Sequence, residues 1–242
     1  MLRTQGFQTR HSVDSMPVFE RAWAQRAGLG FIGKNCCLII PGLGSHVFLS
    51  TLVTAAELPE STPMEERCGS CTRCLDACPT GAFVEAFVLD PRRCVAYLTI
   101  ESRDAIPEPL REGVGTHLFG CDDCQTVCPF NARSRAPAGT GRPTTPVDER
   151  FEAAHRWTES TFGDLLALDQ AGFDQLRQGS PVGRATRIGL ARNAAVVMGN
   201  RADPSDLEPL ARARDGHDAE IVREAASWAL ARVEAARDNL KR

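Results

Sequence analysis

Long apolar segments are missing from this sequence, and lysine and tyrosine are scarce. No run of about 18 apolar residues occurs, which excludes an ordinary transmembrane helix. The only lysines are Lys34 and Lys241, and 31 acidic residues outnumber 28 basic ones for a net charge of −3. This balance excludes a protein that coats nucleic acid with positive charge, although a local basic patch is compatible with it. We therefore expect no membrane partner.

A secretory signal is not indicated either, because residues 1–10 are polar and mixed in character. The ten cysteines are therefore expected in a reducing cytoplasm, where disulfides are rare. The five histidines lack the close spacing of paired metal ligands. Any metal site is thus expected to use thiolates.

Eight of the ten cysteines form two compact groups. The first is Cys68-x2-Cys71-x2-Cys74-x3-Cys78-Pro79, the bacterial ferredoxin spacing for four-iron, four-sulfur clusters. The second is Cys121-x2-Cys124-x3-Cys128-Pro129, with Cys94 upstream as a fourth thiolate. In such runs the last cysteine binds the other cluster. The predicted ligands are Cys68, Cys71, Cys74 and Cys128 for a first cluster and Cys78, Cys94, Cys121 and Cys124 for a second.

Two other roles for these cysteines remain open from the sequence. Zinc also binds four thiolates, but it normally uses separated Cys-x2-Cys pairs. A disulfide framework would require an oxidising compartment. The spacing favours paired iron–sulfur clusters, and hence electron transfer, over both alternatives.

The local patterns along the chain predict an α+β, multidomain protein. Residues 1–60 are expected to form a partial α/β domain, and residues 61–133 a ferredoxin-like module for two clusters. Residues 134–149 are rich in proline and glycine and predict a linker. Residues 150–242 predict a helical domain.

Local signals place elements within the first of these domains. A helix is predicted to open at Met16-Pro17 with Ser15 as its N-cap and to stop at Gly28. Short apolar strands are predicted over residues 37–40 and 47–53.

The helical tail carries a weak internal repeat. The segment Arg192-Asn193-Ala194-Ala195 resembles Arg223-Glu224-Ala225-Ala226 at an offset of 31 residues. Both segments lie in alanine-rich amphipathic stretches, which favours stacked helical hairpins of the HEAT type.

A glycine motif in the first domain matches a dinucleotide-binding pattern. Gly28-x-Gly30-x-x-Gly33 has the fingerprint spacing, but these glycines follow a predicted helix and lead towards a strand. The fingerprint needs a strand followed by a helix, so that helix amides face the pyrophosphate. The glycines are instead expected to allow a tight turn or a close approach to a flat ligand.

Five blocks, in this order, resemble the epoxyqueuosine reductase family. Three of them contain no cysteine, and the resemblance runs from about residue 10 to residue 133. The blocks are Val13-Asp14-Ser15-x-Pro17, Gly28-Leu29-Gly30-Phe31-Ile32-Gly33-Lys34-Asn35, Cys68-Gly69-Ser70-Cys71-Thr72-x-Cys74, Tyr97-Leu98-Thr99-Ile100-Glu101 and Gly120-Cys121-Asp122-Asp123-Cys124-Gln125.

This resemblance implies a fold, a reaction and cofactors. Family members use cobalamin and two four-iron clusters to remove the epoxide oxygen of epoxyqueuosine at the wobble position of tRNA. They normally carry further residues before the position of Asp14, so the cobalamin-binding domain here is expected to be partial. The implied partners are tRNA and an electron donor such as ferredoxin or flavodoxin, and the protein is expected to be a monomer.

The resemblance also implies roles for individual residues. Asp14 matches the family's proton donor. The implied cobalamin contacts are Asp14, Gly33, Lys34, Asn35, Tyr97, Thr99, Cys121 and Asp122.

The segment between Asp174 and Asp203 has no acidic residue but contains five arginines. Such a stretch on helices favours a basic ridge that binds the tRNA backbone, and we predict that Arg184, Arg187 and Arg192 contact RNA.

Two other functions are weighed against epoxyqueuosine reduction: a two-cluster electron carrier without a substrate site, and a cobalamin-dependent reductase of a small molecule. The Asp14 and glycine blocks are unnecessary in a carrier, and a small-molecule enzyme has no need of a basic tail.

Overall fold

A computed structural model describes residues 3–14, 16–134 and 155–240. The chain forms two compact units. The first unit comprises Met1–Cys78, Phe83–Leu89 and Asp123–Thr144, and the second comprises Pro79–Ala82, Asp90–Asp122 and Thr145–Arg242. Of the predicted linker at 134–149, every residue after Ser134 lies outside the described residues. The predicted boundaries at residues 60, 133 and 149 stay predictions.

Six strands occur in the described residues, all within the first unit. They are β1 Thr9–Ser12, β2 Phe31–Ile32, β3 Leu38–Ile39, β4 Thr51–Thr54, β5 Phe83–Glu85 and β6 Val88–Leu89. They pair as three antiparallel two-stranded sheets, β1 with β4, β2 with β3 and β5 with β6. The predicted strand at 37–40 is confirmed by β3, whereas the strand predicted at 47–53 begins four residues later, at Thr51.

Twelve α-helices lie in the described ranges. They are α1 Glu20–Arg26, α2 Arg73–Asp76, α3 Val95–Ile100, α4 Glu108–Val114, α5 Asp123–Thr126, α6 Pro129–Ser134, α7 His155–Thr158, α8 Phe162–Ala167, α9 Gln170–Leu176, α10 Thr186–Arg201, α11 Leu207–Gly216 and α12 Glu220–Leu240. No helix in these ranges is both long enough and apolar enough to cross a bilayer.

Helix α1 begins later than the sequence predicts. Its first residue is Glu20, its N-cap is Phe19, and no side chain caps it. The predicted N-cap Ser15 lies outside the described residues. The predicted stop is confirmed, because Gly28 follows the helix with a φ of +69°, a value that glycine adopts without strain.

The glycines after α1 bring the β2–β3 hairpin close together. A Cβ at Gly30 would lie 2.3 Å from the carbonyl oxygen of Ile39, and one at Gly33 would lie 2.5 Å from Ile39 Cδ1. The sequence predicted a tight turn or a close approach to a flat ligand; at Gly30 and Gly33 the structure instead shows close packing against Ile39 of β3. The motif also follows helix α1 and leads into strand β2, whereas a dinucleotide-binding motif follows a strand and leads into a helix.

The second unit is built around α10. Eleven consecutive residues of this helix, Gly189–Gly199, are buried. The helix packs against α8 and α12. Small residues permit this contact, since a Cβ at Gly199 would lie 2.7 Å from the ring of Trp228 and 2.8 Å from Ala229. A helix that is buried all round forms the centre of its domain.

Candidate iron–sulfur site

Four cysteines of the first unit line one cavity. They are the predicted ligands of the first cluster, Cys68, Cys71, Cys74 and Cys128. The cavity has a volume of about 180 Å³, and its other lining residues are Lys34, Asn35, Ile39, Arg73, Pro129 and Phe130. The structure therefore brings together thiols from both cysteine runs, as the interleaved pattern predicts.

Short turns and helix ends position these thiols. The Cys71 amide donates a 3.2 Å hydrogen bond to the Cys68 carbonyl, and Gly69 between them has a φ of +54°. Cys74 lies in the four-residue helix α2, and Cys128 directly precedes α6, which opens with Pro129. A proline at the first helical position leaves no amide without a partner there. The Cys-Pro signature thus starts a helix beside the cavity.

An apolar wall closes one side of this site. Phe31, Ile39 and Cys128 form a buried cluster, with Met64, Cys68 and Phe130 packed against it. The rings of Phe31 and Phe130 meet edge to face, with centroids 5.2 Å apart. Burial and apolar contacts of this kind set the solvent exposure of a cluster, one of the factors that fix its potential.

Burial favours the neutral form of two of these thiols. Burial raises the pKa of Cys68 to about 11, against a contribution from the Lys34 main-chain amide that lowers it. Burial also raises the pKa of Cys74. Such thiols hold their protons at neutral pH, whereas a metal binds them as thiolates and releases those protons.

The arrangement of the four thiols fits a four-iron, four-sulfur cluster. They come from both cysteine runs and line one cavity, as ligands of the ferredoxin pattern do.

The predicted ligands of the second cluster belong to both units. Cys78 and Cys124 lie in the first unit, and Cys94 and Cys121 lie in the second. Cys94 is the N-cap residue of α3, and Cys121 packs against the main apolar core of the second unit. This set stays a prediction.

Lys34 and Asn35, predicted to contact cobalamin, lie at the thiol cavity. Lys34 Nζ donates to the carbonyls of Gly69 at 2.6 Å and Cys71 at 3.1 Å. The Asn35 side chain donates to the Cys124 carbonyl at 3.3 Å and accepts from the Cys37 amide at 3.2 Å. Both residues therefore hold the backbone of cysteine-bearing segments, a role that the sequence did not reveal.

Two of the predicted cobalamin contacts are contradicted by burial. Asn35 is 4% exposed and Thr99 is fully buried. The Thr99 hydroxyl donates to the Val95 carbonyl at 2.7 Å and accepts from the Gly120 amide at 3.0 Å. Gly33 is buried against Ile39 as well. The side chains of Asn35 and Thr99 thus have structural roles and present no surface to a corrin.

The remaining predicted contacts are accessible. Asp14 and Asp122 are exposed, Tyr97 is 40% exposed, and Cys121 is half-buried. Asp14 follows β1 and has a φ of +49°, a left-handed conformation that aspartate tolerates better than most residues. Its carboxylate therefore lies on an exposed turn of the first unit.

Arg192 was predicted to contact RNA, and this prediction is wrong. The residue is 1% exposed, and its guanidinium donates to the carbonyls of Leu98 at 2.6 Å, Ser102 at 3.2 Å and Asp104. Burial lowers its pKa to about 10. Next to it, the Asn193 side chain donates to the Thr99 carbonyl at 2.7 Å. The pair satisfies the last carbonyls of α3, which lack partners within the helix.

The other two predicted RNA contacts differ in exposure. The Arg184 side chain is 53% exposed and forms an ion pair with Glu101. The Arg187 side chain is only 12% exposed and is paired with Asp218. Contacts with RNA stay a prediction for both residues, and Arg184 is the more accessible of them.

An Arg192→Met variant is expected to lose about 3–5 kcal/mol of stability, because buried carbonyls would lose a charged partner. Urea unfolding followed by helical circular dichroism measures this loss. The matched control is Arg212→Met, whose side chain is 68% exposed and pairs with Glu208 within one helix. The control should change stability by less than about 0.5 kcal/mol. Equal effects of the two variants would contradict the structural role of Arg192.

A family model of the 4Fe-4S double cluster binding domain matches residues 67–131. An epoxyqueuosine reductase from Xanthomonas campestris pv. campestris is 44% identical over 225 residues, which is 93% of this chain and 61% of that protein.

Solved structures agree with the sequence comparison. Epoxyqueuosine reductase from Bacillus subtilis, with an aspartate catalytic loop swung out of the active site, matches with a TM-score of 0.82 and 32% identity over 96% of this chain and 59% of that one. An epoxyqueuosine reductase with an epoxyqueuosine-modified tRNA-Tyr stem loop matches with a TM-score of 0.75 and 27% identity, over 96% of this chain and 68% of that one.

These matches cover nearly the whole chain, but the chain covers only part of its relatives. It spans 61% of the length of the Xanthomonas protein and 59% of the Bacillus chain. The similarity extends well beyond the cysteine module, since the match covers 225 residues and the module spans residues 67–131. By sequence and by fold, this chain is therefore similar to part of the epoxyqueuosine reductases.

Proposed function

We propose that this chain reduces epoxyqueuosine to queuosine at the wobble position of tRNA. The observation that carries the proposal is the 44% identity over 93% of the chain with an epoxyqueuosine reductase. The cluster module alone, residues 67–131, would suit any electron carrier. The match extends through the flanking segments, which a carrier does not need.

The reaction sets clear requirements. Converting an epoxide to an alkene consumes two electrons and two protons, breaks two carbon–oxygen bonds and releases the oxygen as water. Two four-iron clusters, when bound, would supply the electrons singly. Cys68, Cys71, Cys74 and Cys128 would hold the first cluster. In the second, the ligands would be Cys78, Cys94, Cys121 and Cys124.

Cobalamin is also part of the proposal, and the described residues fit it only in part. When bound, it would supply the carbon–oxygen bond chemistry. Asp14, Tyr97 and Asp122 are exposed and are the candidate contacts in this chain. Because Asn35 and Thr99 are buried, we derive no step of the reaction through this cofactor.

Asp14 is the proposed donor of the proton to the departing oxygen. A carboxyl group can serve as an acid at neutral pH where burial or a neighbouring negative charge favours its neutral form. Asp14 is exposed here, so the turn that carries it would have to close over the substrate. The swung-out aspartate loop of the Bacillus relative is consistent with such a movement.

The proposed macromolecular partner is tRNA that carries epoxyqueuosine, by analogy with the relative solved with a modified stem loop. Arg184 and Arg187 on the second unit are the candidate backbone contacts. Helices α10, α11 and α12 pack together, which supports the proposed HEAT-like arrangement of the tail. A ferredoxin or flavodoxin donor, a monomeric state and a cytoplasmic location complete the proposal.

Turnover of the natural substrate tests this function. Anaerobically reconstituted protein, supplied with cobalamin, a strong reductant and an epoxyqueuosine-modified tRNA stem loop, should convert the nucleoside to queuosine. Mass spectrometry of the digested RNA measures the loss of one oxygen atom. The control omits the reductant. Fully loaded clusters with no conversion would refute the proposal and favour an electron carrier, the alternative that the cluster module supports on its own.

A further inference from the structure

Lys34 is bound to the backbone of the first cysteine run. Its ammonium group donates to the carbonyl of Gly69 at 2.6 Å and to that of Cys71 at 3.1 Å. The same residue lines the cavity that the four thiols share. A positive charge is therefore held beside the site of the first cluster.

The main chain of Lys34 is fixed as well. Its carbonyl accepts a hydrogen bond from the Phe87 amide at 3.0 Å. The preceding residue, Gly33, has no room for a Cβ because Ile39 lies 2.5 Å from that position. The ammonium group itself is held by the two carbonyls, and moving it away from the cavity would break both of these hydrogen bonds.

The residue type is informative in a chain that uses arginine almost everywhere. Lys34 is one of only two lysines. An ammonium is a compact charge with three donors, which suits two carbonyls of one tight turn, whereas a guanidinium is a wide planar fork suited to carboxylates and phosphates. The exposed Arg73, which lines the same cavity, is the more strongly screened cation.

Reduction adds one negative charge to a cluster that thiolates already make negative. A nearby cation favours the more negative state, and cluster potentials depend on net charge and on hydrogen bonds to the sulfurs. Glu66, which accepts from the Cys68 amide, contributes the opposite sign. We propose that Lys34 is a positioning residue that raises the reduction potential of the cluster held by Cys68, Cys71, Cys74 and Cys128. The proposal rests on the cluster assignment made above, but not on the substrate.

A redox titration of the reconstituted full chain, followed by electron paramagnetic resonance, tests this role. Lys34→Gln keeps amide donors but loses the charge. At a fixed solution potential, its ratio of reduced to oxidised first cluster should fall at least tenfold, which corresponds to a reduction potential 59 mV lower for one electron. Lys34→Arg, which keeps the charge, should stay closer to the wild-type chain. Arg10→Met, which removes an exposed cation elsewhere in the first unit, should leave the reduction potentials of both clusters unchanged.

The outcomes separate the possible roles. A Lys34→Gln protein with full iron and an unshifted titration would overturn the proposal. If Lys34→Gln and Lys34→Met both fail to hold iron while Lys34→Arg holds it, the residue serves assembly and the redox role is rejected. If Lys34→Gln lowers the reduction potential of the first cluster but the wild-type chain does not act on tRNA, the redox role is supported and only the proposed substrate is rejected.

Discussion

A Cys128→Ala variant is expected to retain one cluster and lose the other. The iron content should fall from about eight atoms per chain to about four, because Cys128 is a proposed ligand of the first cluster. Its thiol comes from the second cysteine run but lines the cavity formed by Cys68, Cys71 and Cys74. Alanine suits the test because this position is only 7% exposed and alanine offers no oxygen ligand.

Two further variants make this result specific. Cys124→Ala should also halve the iron, but the first cluster should remain, and its reduction potential should still depend on Lys34. Cys37→Ala removes a half-buried cysteine outside both predicted sets and should keep all of the iron. Unchanged iron in Cys128→Ala would show that the two runs do not interleave at this residue. Zinc in anaerobically purified wild-type protein would refute the clusters altogether.

An Asp14→Asn variant is expected to slow epoxide reduction by about two to four powers of ten, the usual contribution of general acid catalysis. Asparagine keeps the size and the left-handed turn of this residue but cannot give up a proton to the departing oxygen. Single-turnover conversion of modified tRNA stem loop measures the rate. Iron content and tRNA affinity should match those of the unaltered chain.

Glu57→Gln, a change at another exposed carboxylate of the first unit, is the control and should leave the rate unchanged. Undiminished conversion by Asp14→Asn would remove this residue from the proton-donor role. A large loss of tRNA affinity in the same variant would instead show that Asp14 helps to bind the substrate.

The cysteine pattern predicted more of the site than any other feature of the sequence. Thiolate ligands in short turns have fixed spacings, so the first set, including the distant Cys128, could be grouped from spacing alone. The structure places these four thiols around one cavity. The role of Lys34 could not be read in the same way, because its contacts join segments 35 and 37 residues apart in the chain.

The arginine prediction failed for a physical reason. A stretch without acidic residues indicates a basic surface only if its arginines face the solvent. Helix α10 is buried from Gly189 to Gly199, and Arg192 lies within that segment. The alanine, valine and glycine residues around Arg192 were the available signal, because a helix that is apolar on all sides is buried. The start of α1 was missed because Phe19 replaces a polar cap.

Helix α3 begins next to a proposed iron ligand and ends at carbonyls that bind side chains of α10. Its N-cap is Cys94, a proposed iron ligand, and its last carbonyls are bound by Arg192 and Asn193 from α10. Helix α10 is therefore linked, through α3, to Cys94, which lies more than ninety residues earlier in the chain. A destabilising substitution in α10 is therefore expected to lower the iron content through Cys94, even though α10 itself carries no cysteine.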